Sequence, residues 1–463
     1  MSVDVAIVGG GVSGLAAAYH LTQSGLRVIV MERQARAGGN AFSERIDGFL
    51  MEHGPSTVAG NSDEAMALSK AMGLDTNLCH LGDGIEQRYL LKDGILHGIP
   101  LGPLGFVRSG YLSIGGRLRM MAEPLLRRRP QIDGDPETVT AFCTRRFGRE
   151  FTELVMDPLV GGIYAGRPDD LSIDAVFSKF AEFEQVHGSV TQGMLAARRD
   201  GKRMPGRRLM SWRDGVGSLP TALSEFLGEI VRTGATVRQV KRVGTGFSVE
   251  TQSHGSLSAK SVILAAQPHV AASLLEKIDV RGAEAAGAIS APPLAVVFLG
   301  YHRSQVDHPL DSLGFLTPTS EGSALNGVQF CSTMFPNRAP DDHVAVAAYV
   351  GGARNPDLGN QPANALIDIV RNELSGLLGI HDEPVIARVR HWPRGLPQYS
   401  LGHAERAETL EHISNRVPGM FVTGNYLGGL SISDCLESAA SVAGQARTYV
   451  QDREKVQREK FAI

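Results

Sequence analysis

The pattern of hydrophobic and polar positions at the N-terminus predicts a strand, a helix and a second strand in close succession. Residues 3–8 form a short, mainly apolar run, residues 15–24 are rich in helix-forming side chains, and residues 27–31 are rich in β-branched side chains. Glycines separate the first two segments. This arrangement predicts a βαβ unit that begins the fold.

The pattern changes twice further along the chain. Between about residues 88 and 208 strands are hard to find, and helical segments alternate with Pro/Gly breaks. Residues 292–352 instead show the β-branched and aromatic positions of an antiparallel sheet. Further strands are predicted at 235–240, 246–251, 261–266 and 420–423, and a long helix from about residue 433.

We therefore expect an α/β fold, with a Rossmann-type dinucleotide-binding domain, an inserted mainly helical region and an antiparallel-sheet substrate domain. The expected boundaries are 1–87, 209–290 and 391–463 for the discontinuous dinucleotide-binding domain, 88–208 for the helical region and 291–390 for the sheet domain.

Composition narrows the class of protein. The chain of 463 residues carries 46 Lys plus Arg against 49 Asp plus Glu, a net charge of −3 that argues against a nucleic-acid binder. No apolar run approaches the roughly 18 residues of a membrane span, and residues 3–8 lack the features of a signal peptide, so we expect a cytoplasmic protein. The 4 cysteines are widely scattered and predict free thiols and no metal site.

The first glycine cluster has the spacing of a dinucleotide-binding turn. In the sequence G-x-G-x-x-G, Gly9 allows a tight turn, Gly11 lets the backbone approach a pyrophosphate, and Gly14 lets the helix pack on the strand. Free N–H groups at the helix start would face the anion. Glu32, at the end of the second strand, is placed to accept hydrogen bonds from ribose hydroxyls. A glycine turn without a ligand is the alternative.

The residues after Glu32 resemble the fingerprint of FAD-containing amine oxidases and carotenoid desaturases. Arg36, Gly38 and Gly39 continue it as E-x-x-x-R-x-G-G. Near the C-terminus a glycine-rich turn from 424 to 432 precedes a helix that Asp434 and Glu437 would start in the manner of a capping box. That helix N-terminus would stabilise the negative charge of reduced flavin; a well-capped helix without this role is the alternative.

Across nearly its full length the chain resembles the oxygen-dependent protoporphyrinogen and coproporphyrinogen oxidases. Beyond the N-terminal fingerprint, the resemblance rests on segments 48–55, 88–100, 158–166, 183–189, 397–403 and 425–438. The Gly-Ile-Tyr-Ala-Gly element at 162–166 and the Pro-Gln-Tyr element at 397–399 discriminate this family from amine oxidases. At Ser56, animal and plant members carry arginine.

The resemblance also implies site residues. Arg88 matches a family arginine that holds a substrate propionate, which suits a guanidinium because it stays charged and binds carboxylates through two hydrogen bonds. A structural ion pair is the alternative for Arg88. FAD contacts are implied for Gly9, Gly10, Gly11, Val12, Ser13, Gly14, Glu32, Arg33, Gly38, Gly39, Gly54, Pro55, Ser56, Thr57, Val240, Asn425, Leu430, Ser431 and Ile432.

The implied reaction is removal of six electrons from a porphyrinogen in haem biosynthesis, with dioxygen as acceptor and hydrogen peroxide as product. Tautomerisation within the macrocycle removes the need for a dedicated protein base, so no catalytic residue is assigned. The alternatives are a flavoenzyme of this fold acting on an isoprenoid or amine, and a non-catalytic escort protein that binds lipid groups.

Two basic stretches lie in the helical region. The first runs from about residue 101 to Arg129 and mixes arginines with large apolar side chains; the second runs from Arg198 to Arg208. Each is either a solvated face or a surface that contacts anionic headgroups or an acidic substrate. A peripheral position on the inner membrane face is therefore expected as one alternative, and a homodimer is left open.

Overall fold

The computed structural model describes residues 2–82, 85, 87–100, 103–129, 136–200, 209–253 and 255–461. Its strands are β1 (Ser2–Val8), β2 (Val28–Met31), β3 (Ser43–Ile46), β4 (Phe49–Glu52), β5 (Val58–Ala59), β6 (Leu78–His80), β7 (Gln87–Lys92), β8 (Ile95–Pro100), β9 (Leu209–Trp212), β10 (Val231–Arg232), β11 (Val237–Val243), β12 (Gly246–Thr251), β13 (Ser256–Leu264), β14 (Leu294–His302), β15 (Ser312–Leu316), β16 (Leu325–Phe330), β17 (His343–Gly351), β18 (Ile386–Trp392) and β19 (Met420–Val422).

The helices alternate with these strands and fill most of the region between β8 and β9. They are α1 (Val12–Gln23), α2 (Asp63–Ala71), α3 (Pro103–Arg108), α4 (Ile114–Met121), α5 (Val139–Phe147), α6 (Arg149–Phe151), α7 (Asp157–Tyr164), α8 (Ile173–Val176), α9 (Ser178–His187), α10 (Val190–Arg199), α11 (Ser218–Leu227), α12 (Pro268–Leu275), α13 (Val280–Gly287), α14 (Cys331–Met334), α15 (Ala363–Leu378), α16 (His403–Glu411), α17 (Ile413–Arg416) and α18 (Ile432–Phe461).

The first sheet has the order β10-β2-β1-β13-β12-β11, and β19 pairs with the end of β13. The strands β10, β2, β1, β13 and β19 run parallel, whereas β11, β12 and β13 are antiparallel. Both faces of β1 are buried, which explains why residues 3–8 are apolar except for Asp4, whose carboxylate pairs with Arg27 and Lys260. The predicted βαβ unit is present as β1, α1 and β2.

Helix α1 packs against α18 in the core on one face of this sheet. Small side chains such as Ala16 and Ala17 on α1, with Ala439 and Ala443 on α18, are buried in one cluster. Side chains of this size let two helices approach closely. The first and last long helices of the chain therefore lie side by side under the sheet.

The second sheet has the order β18-β14-β17-β16-β15-β7-β8 and is antiparallel except between β15 and β7. Helix α15 covers one face, where Leu366, Val370 and Leu374 join the strand side chains in one core cluster. On the other face, Leu294 and Val296 pack in one cluster with Phe49 and Met51 of β4. The expected α/β architecture with an antiparallel second sheet is confirmed by this arrangement and by the structural relatives described below.

Residues 87–100, at the start of the range expected to be helical, form a β-hairpin of the second sheet. Asp93 and Gly94 form its turn, with φ of 53° and 73°. Two successive positive φ angles characterise the hairpin turns that Asp-Gly favours, so the turn signal is in the sequence. Within the described residues, the rest of 88–208 is mainly helical.

No helix in the described ranges combines the length and apolar character needed to cross a membrane.

Candidate functional site

A cavity of about 930 Å³ opens where the carboxyl ends of β1 and β2 face the second sheet. This volume lies near the upper end of the range for small-molecule and cofactor sites. Its lining comes from loops that follow β1, β2, β13 and β19, from α7, and from β14, β16, β17 and β18. One large ligand site is thus built from both sheets.

The glycine turn after β1 brings bare backbone to the cavity. A Cβ on Gly9, whose φ is +110°, would lie 2.4 Å from the Ala265 oxygen, and one on Gly14 would lie 1.9 Å from the Gly9 oxygen. On Gly11, by contrast, it would come no closer than 3.9 Å, to the Gly39 Cα atom. Gly9 and Gly14 therefore serve chain packing, while Gly11 leaves open space beside the backbone.

Helix α1 starts at this turn with its N–H groups available. Gly11 provides no side-chain cap, and the first turn contains no acidic residue. The positive end of the helix dipole and its unpaired donors therefore lie at the cavity, where they favour an anionic group.

Glu32 is fixed at the opposite side of the glycine turn. Its Oε2 accepts a hydrogen bond from the Gly10 N–H at 2.8 Å, and its Oε1 accepts one from the Gln34 N–H at 2.8 Å. The residue is buried and lines the cavity. Each carboxylate oxygen has further acceptor capacity, so Glu32 can still accept hydrogen bonds from ligand hydroxyls.

The Gly38–Gly39 pair closes against the first turn. The Gly38 N–H donates to the Gly10 carbonyl at 2.7 Å, and a Cβ on Gly39 would lie 3.0 Å from the Gly11 Cα atom. The Arg36 guanidinium lies over the Phe42 ring and donates to the carbonyls of Ala37 and Gly39. Arg36 thus shapes this loop and does not itself line the cavity.

The C-terminal turn ends in a capping box whose partner differs from the expected one. The Asp434 carboxylate accepts hydrogen bonds from the Ser431 N–H at 3.0 Å and the Ser431 hydroxyl at 2.6 Å, while the Asp434 N–H donates to Ser431 Oγ at 3.1 Å. Glu437 instead accepts a hydrogen bond from Ser62. Ser431 therefore caps α18, because its hydroxyl reaches the third helical position.

Most of the predicted cofactor residues meet at this cavity. Gly10, Gly14, Val240 and Arg88 do not line it: Val240 is buried in the core of the first sheet, and Arg88 is exposed on β7. Residues 235–238 line the cavity near the start of β11. The predicted residues that line it are Gly9, Gly11, Val12, Ser13, Glu32, Arg33, Gly38, Gly39, Gly54, Pro55, Ser56, Thr57, Asn425, Leu430, Ser431 and Ile432.

The sequence predicted an antiparallel-sheet substrate domain but indicated none of the residues that this sheet contributes to the cavity. Tyr349 and Gln329 line the cavity, and the Tyr349 hydroxyl donates to Gln329 Oε1 at 3.1 Å. Burial raises the pKa of Tyr349, so this side chain is neutral. Trp392 also lines the cavity and donates from Nε1 to the His53 carbonyl at 2.7 Å. The only sequence signal for Gln329 and Tyr349 was their place in the predicted antiparallel sheet, and no strand was predicted at Trp392.

The two most discriminating sequence elements meet at the cavity. Gln398 Nε2 donates to the Tyr164 carbonyl at 2.9 Å, and the rings of Tyr164 and Tyr399 lie 5.9 Å apart. The Tyr399 hydroxyl donates to the Asn425 carbonyl at 2.8 Å. Tyr164, Tyr399 and Asn425 all line the cavity, so three distant parts of the chain form one wall.

His403 lies behind this wall as a neutral side chain. Its ring stacks on Tyr399 with centroids 4.0 Å apart. Burial, with Arg406 nearby, lowers the pKa of His403 to about 4. The imidazole is therefore uncharged at neutral pH and acts as a flat support for Tyr399.

The fold and the cavity define a flavoprotein oxidoreductase. The model of the family "Flavin containing amine oxidoreductase" matches residues 12–446, so the chain belongs to that family. The expected cofactor, FAD, is confirmed with it.

Relatives confirm the resemblance to porphyrinogen oxidases. The chain is 30% identical to protoporphyrinogen oxidase of Nicotiana tabacum chloroplasts, covering 97% of this chain and 86% of that one. It is 29% identical to coproporphyrinogen III oxidase of Bacillus subtilis, covering 96% and 98%. A crystal structure from Exiguobacterium sp. 255-15, described as a candidate protoporphyrinogen oxidase, is 26% identical and superposes with a TM-score of 0.83 over 95% of this chain and 98% of that one.

The cavity fits FAD on its own chemistry. Gly11 offers bare backbone, α1 offers an uncapped start, and Glu32 offers acceptors, as a dinucleotide requires. The Tyr426 hydroxyl is buried at the cavity and has no hydrogen-bond partner among the described residues. A polar ligand group at this position would satisfy it, which removes a cost of about 1–3 kcal/mol.

Replacing Gly39 should reduce flavin binding more than it reduces stability. In Gly39→Ala, the new methyl would lie 3.0 Å from the Gly11 Cα atom and push the two turns apart. We expect FAD affinity to fall about tenfold or more, equivalent to about 1.4 kcal/mol. Visible flavin absorbance per protein, measured after dialysis and retitration with FAD, checks this.

Gly25→Ala is the matched control, because Gly25 has φ +77° and nothing within 4 Å of its missing side chain. Both variants carry the backbone strain of about 1–2 kcal/mol. Equal flavin content in the two variants would contradict a special role for the Gly11–Gly39 contact.

Proposed function

We propose that this chain is an FAD-dependent oxidase that converts a porphyrinogen to the porphyrin in haem biosynthesis. One molecule of porphyrinogen and three of dioxygen would give one porphyrin and three hydrogen peroxide. The observation that carries the proposal is the hydrogen bond from Gln398 to Tyr164, which joins the two discriminating elements at the cavity. The full-length similarity to protoporphyrinogen and coproporphyrinogen oxidases supports it.

The second-sheet side of the cavity suits a flat, largely apolar substrate. Leu294, Val296 and Trp392 provide apolar surface, and Gln329 and Tyr349 provide neutral hydrogen-bonding groups. Bound FAD would supply hydride acceptance and reaction with dioxygen. The protein would contribute mainly by excluding water and holding the ring in place, because tautomerisation of the substrate needs no fixed base.

We also propose that Arg88 binds a substrate carboxylate outside the cavity. Arg88 shares a sheet face with Leu90, which lies two residues further along β7. Leu90 pairs with Leu316, whose side chain lies where a Cβ on Gly162 would go. Gly162 lines the cavity, so the sheet face that carries Arg88 supports its wall. A propionate that extends beyond this wall would be within the range of a flexible arginine.

Turnover on two substrates tests the proposed function. The yellow purified protein should oxidise anaerobically prepared protoporphyrinogen IX or coproporphyrinogen III in air, because both are flat macrocycles of the expected class. Porphyrin fluorescence and peroxide are measured together, and about three peroxides per porphyrin are expected. Oxidation of neither compound faster than its autoxidation would end the proposal, and oxidation of an amine or isoprenoid instead would replace it.

Removal of Arg88 should weaken substrate binding and leave flavin in place. Arg88→Ala loses a charge-assisted hydrogen bond worth about 1.5–3 kcal/mol, so KM should rise at least about tenfold at similar kcat. Arg388→Ala is the matched control, since Arg388 is exposed on β18 at the opposite edge of the sheet. Kinetics unchanged in both variants would exclude the assigned role.

We propose a peripheral membrane contact through the surface of α4 and the turn after it, at the inner face of the cytoplasmic membrane. Ile114, Leu118, Met121 and Leu125 are 71%, 62%, 59% and 85% exposed, and their spacing places the first three on one helix face. Arginines border this surface, with Arg127 and Arg128 exposed. Apolar insertion and attraction to anionic headgroups are the two contributions that such a contact needs.

The second basic stretch, from Arg198 to Arg208, is only partly described by the structure, because residues 201–208 lie outside the described residues.

Charge placed on this surface should abolish vesicle binding. The double substitution Leu118→Glu and Leu125→Glu removes two apolar side chains, each worth up to about 1.5–3 kcal/mol when buried, and adds repulsion from anionic lipid. Flotation with phosphatidylcholine–phosphatidylglycerol vesicles measures the loss. Val280→Glu, at a side chain 62% exposed on α13, is the control and should still float. Wild-type protein that never floats would refute the membrane contact.

A further inference from the structure

The last turn of α7 and the residue after it form a wall of the cavity that is held under backbone strain. Residues 161–165, here called the 161–165 wall, all line the cavity. Ala165 has φ +47° and ψ +34°, a left-handed conformation that side chains with a Cβ rarely adopt. Such a conformation persists only where surrounding contacts enforce it. The contacts on either side of the wall therefore decide its position.

The end of β17 holds the wall at Ala165. The Ala353 N–H donates to the Ala165 carbonyl at 2.7 Å. Gly352 has φ +71°, and a Cβ there would lie 2.4 Å from the same carbonyl oxygen. Backbone meets backbone at this end, which fixes the left-handed residue.

Arg354, the next residue, holds the other end. Its Nη2 donates to the Asp157 carbonyl at 2.5 Å and lies 3.1 Å from the Asp157 carboxylate, and its Nη1 donates to the Thr317 carbonyl at 2.7 Å. The side chain is only 9% exposed. The guanidinium therefore links the start of α7 to the end of β15.

Asp157 is itself fully engaged in this link. Its Oδ2 accepts a hydrogen bond from the Thr319 N–H at 2.6 Å, and its Oδ1 accepts one from the Thr319 hydroxyl at 2.9 Å. A charge pair with every oxygen hydrogen-bonded has a defined geometry. Helix α7 is thus anchored to the second sheet through its first residue.

The guanidinium also lies directly against the wall. A Cβ on Gly161 would fall 2.3 Å from the Arg354 Cζ atom, a distance that no side chain could tolerate. Gly161 lines the cavity while its missing side chain points at Arg354. Gly161 and Arg354 therefore form one packing unit, in which the absence of a side chain at 161 makes room for the guanidinium.

We propose that Arg354 is a positioning residue. Together with Asp157 it fixes the distance between the 161–165 wall and the opposite side of the cavity, and the substrate needs that distance in order to bind productively. The choice of porphyrinogen as assay substrate rests on the proposed function above. Arg354 does not line the cavity and need not touch substrate. Its effect is transmitted through the backbone of α7. A shift of about 1 Å in a residue that positions the substrate can lower the rate about a hundredfold.

A double-mutant cycle tests this proposal. Arg354→Ala should lower kcat/KM by up to about a hundredfold with flavin content unchanged, because the wall loses its anchor. Gly161→Ala should do the same, because the methyl displaces the wall or the guanidinium. The double variant should resemble Arg354→Ala alone, since the space left by the guanidinium accommodates the methyl. Steady-state kinetics and flavin absorbance are measured on all four proteins.

Arg416→Ala is the control for loss of a partly buried arginine–aspartate pair. Arg416 Nη2 lies 2.7 Å from the Asp279 carboxylate, and neither residue lines the cavity. This variant should lower Tm without changing kinetics. If Arg354→Ala likewise lowers only Tm, or if the effects of Gly161→Ala and Arg354→Ala multiply in the double variant, the positioning role is overturned.

Arg354→Lys is used in place of Arg354→Ala if the alanine variant does not fold. Lysine cannot contact Asp157 and Thr317 at once as the two guanidinium nitrogens do, so it should show the same coupling with Gly161→Ala.

Failure of the positioning role of Arg354 and failure of the proposed function give different results. If wild-type protein oxidises neither porphyrinogen, the proposed function fails. The double-mutant cycle is then measured by visible circular dichroism of the flavin bound to the four proteins. If the changes in the flavin spectrum caused by Gly161→Ala and Arg354→Ala are non-additive, they support the positioning role of Arg354. Additive changes overturn it.

Discussion

Contact between bare backbone segments is the constraint on which the rest of this structure depends. The turn at Gly9 lies against Ala265 and Gly14 lies against Gly9, at distances that leave no room for a side chain, and Gly39 lies tightly against Gly11. These contacts bring the ends of β1, β2 and β13 to one point. The start of α1 and the carboxylate of Glu32 acquire their shared orientation from this point, so the dinucleotide end of the cavity is a product of main-chain packing.

The other side of the cavity is built on a different basis. There, side chains of the second sheet face the glycine turns, and a strained helix end joins them through hydrogen bonds to Gln398 and Ala353. The cofactor side follows from local turns shared by many proteins of this fold. The second-sheet side follows from contacts between segments hundreds of residues apart, such as Gln398 with Tyr164 and Ala353 with Ala165.

Sequence reasoning located the parts of the site that local geometry determines. Gly11 and Glu32 were identified because the spacing of a βαβ turn specifies them. Val240, implied by the resemblance, lies on β11 two residues beyond Arg238, the last residue of that strand that lines the cavity. The hairpin at β7 and β8 was missed although Asp93-Gly94 marks its turn. Arg354 has no local signal at all, since its partners Asp157 and Thr317 are distant in sequence and its role depends on a glycine in another element.

The order of elements along the chain has a consequence for biosynthesis. Helix α1 leaves the ribosome long before α18 is made, yet the apolar face of α1 is buried against α18. The cavity likewise needs residues 9–13 together with residues 424–435. A nascent chain therefore cannot assemble the complete cavity until residues 424–435 have been made. Until then the face of α1 that packs against α18 is open to chaperones.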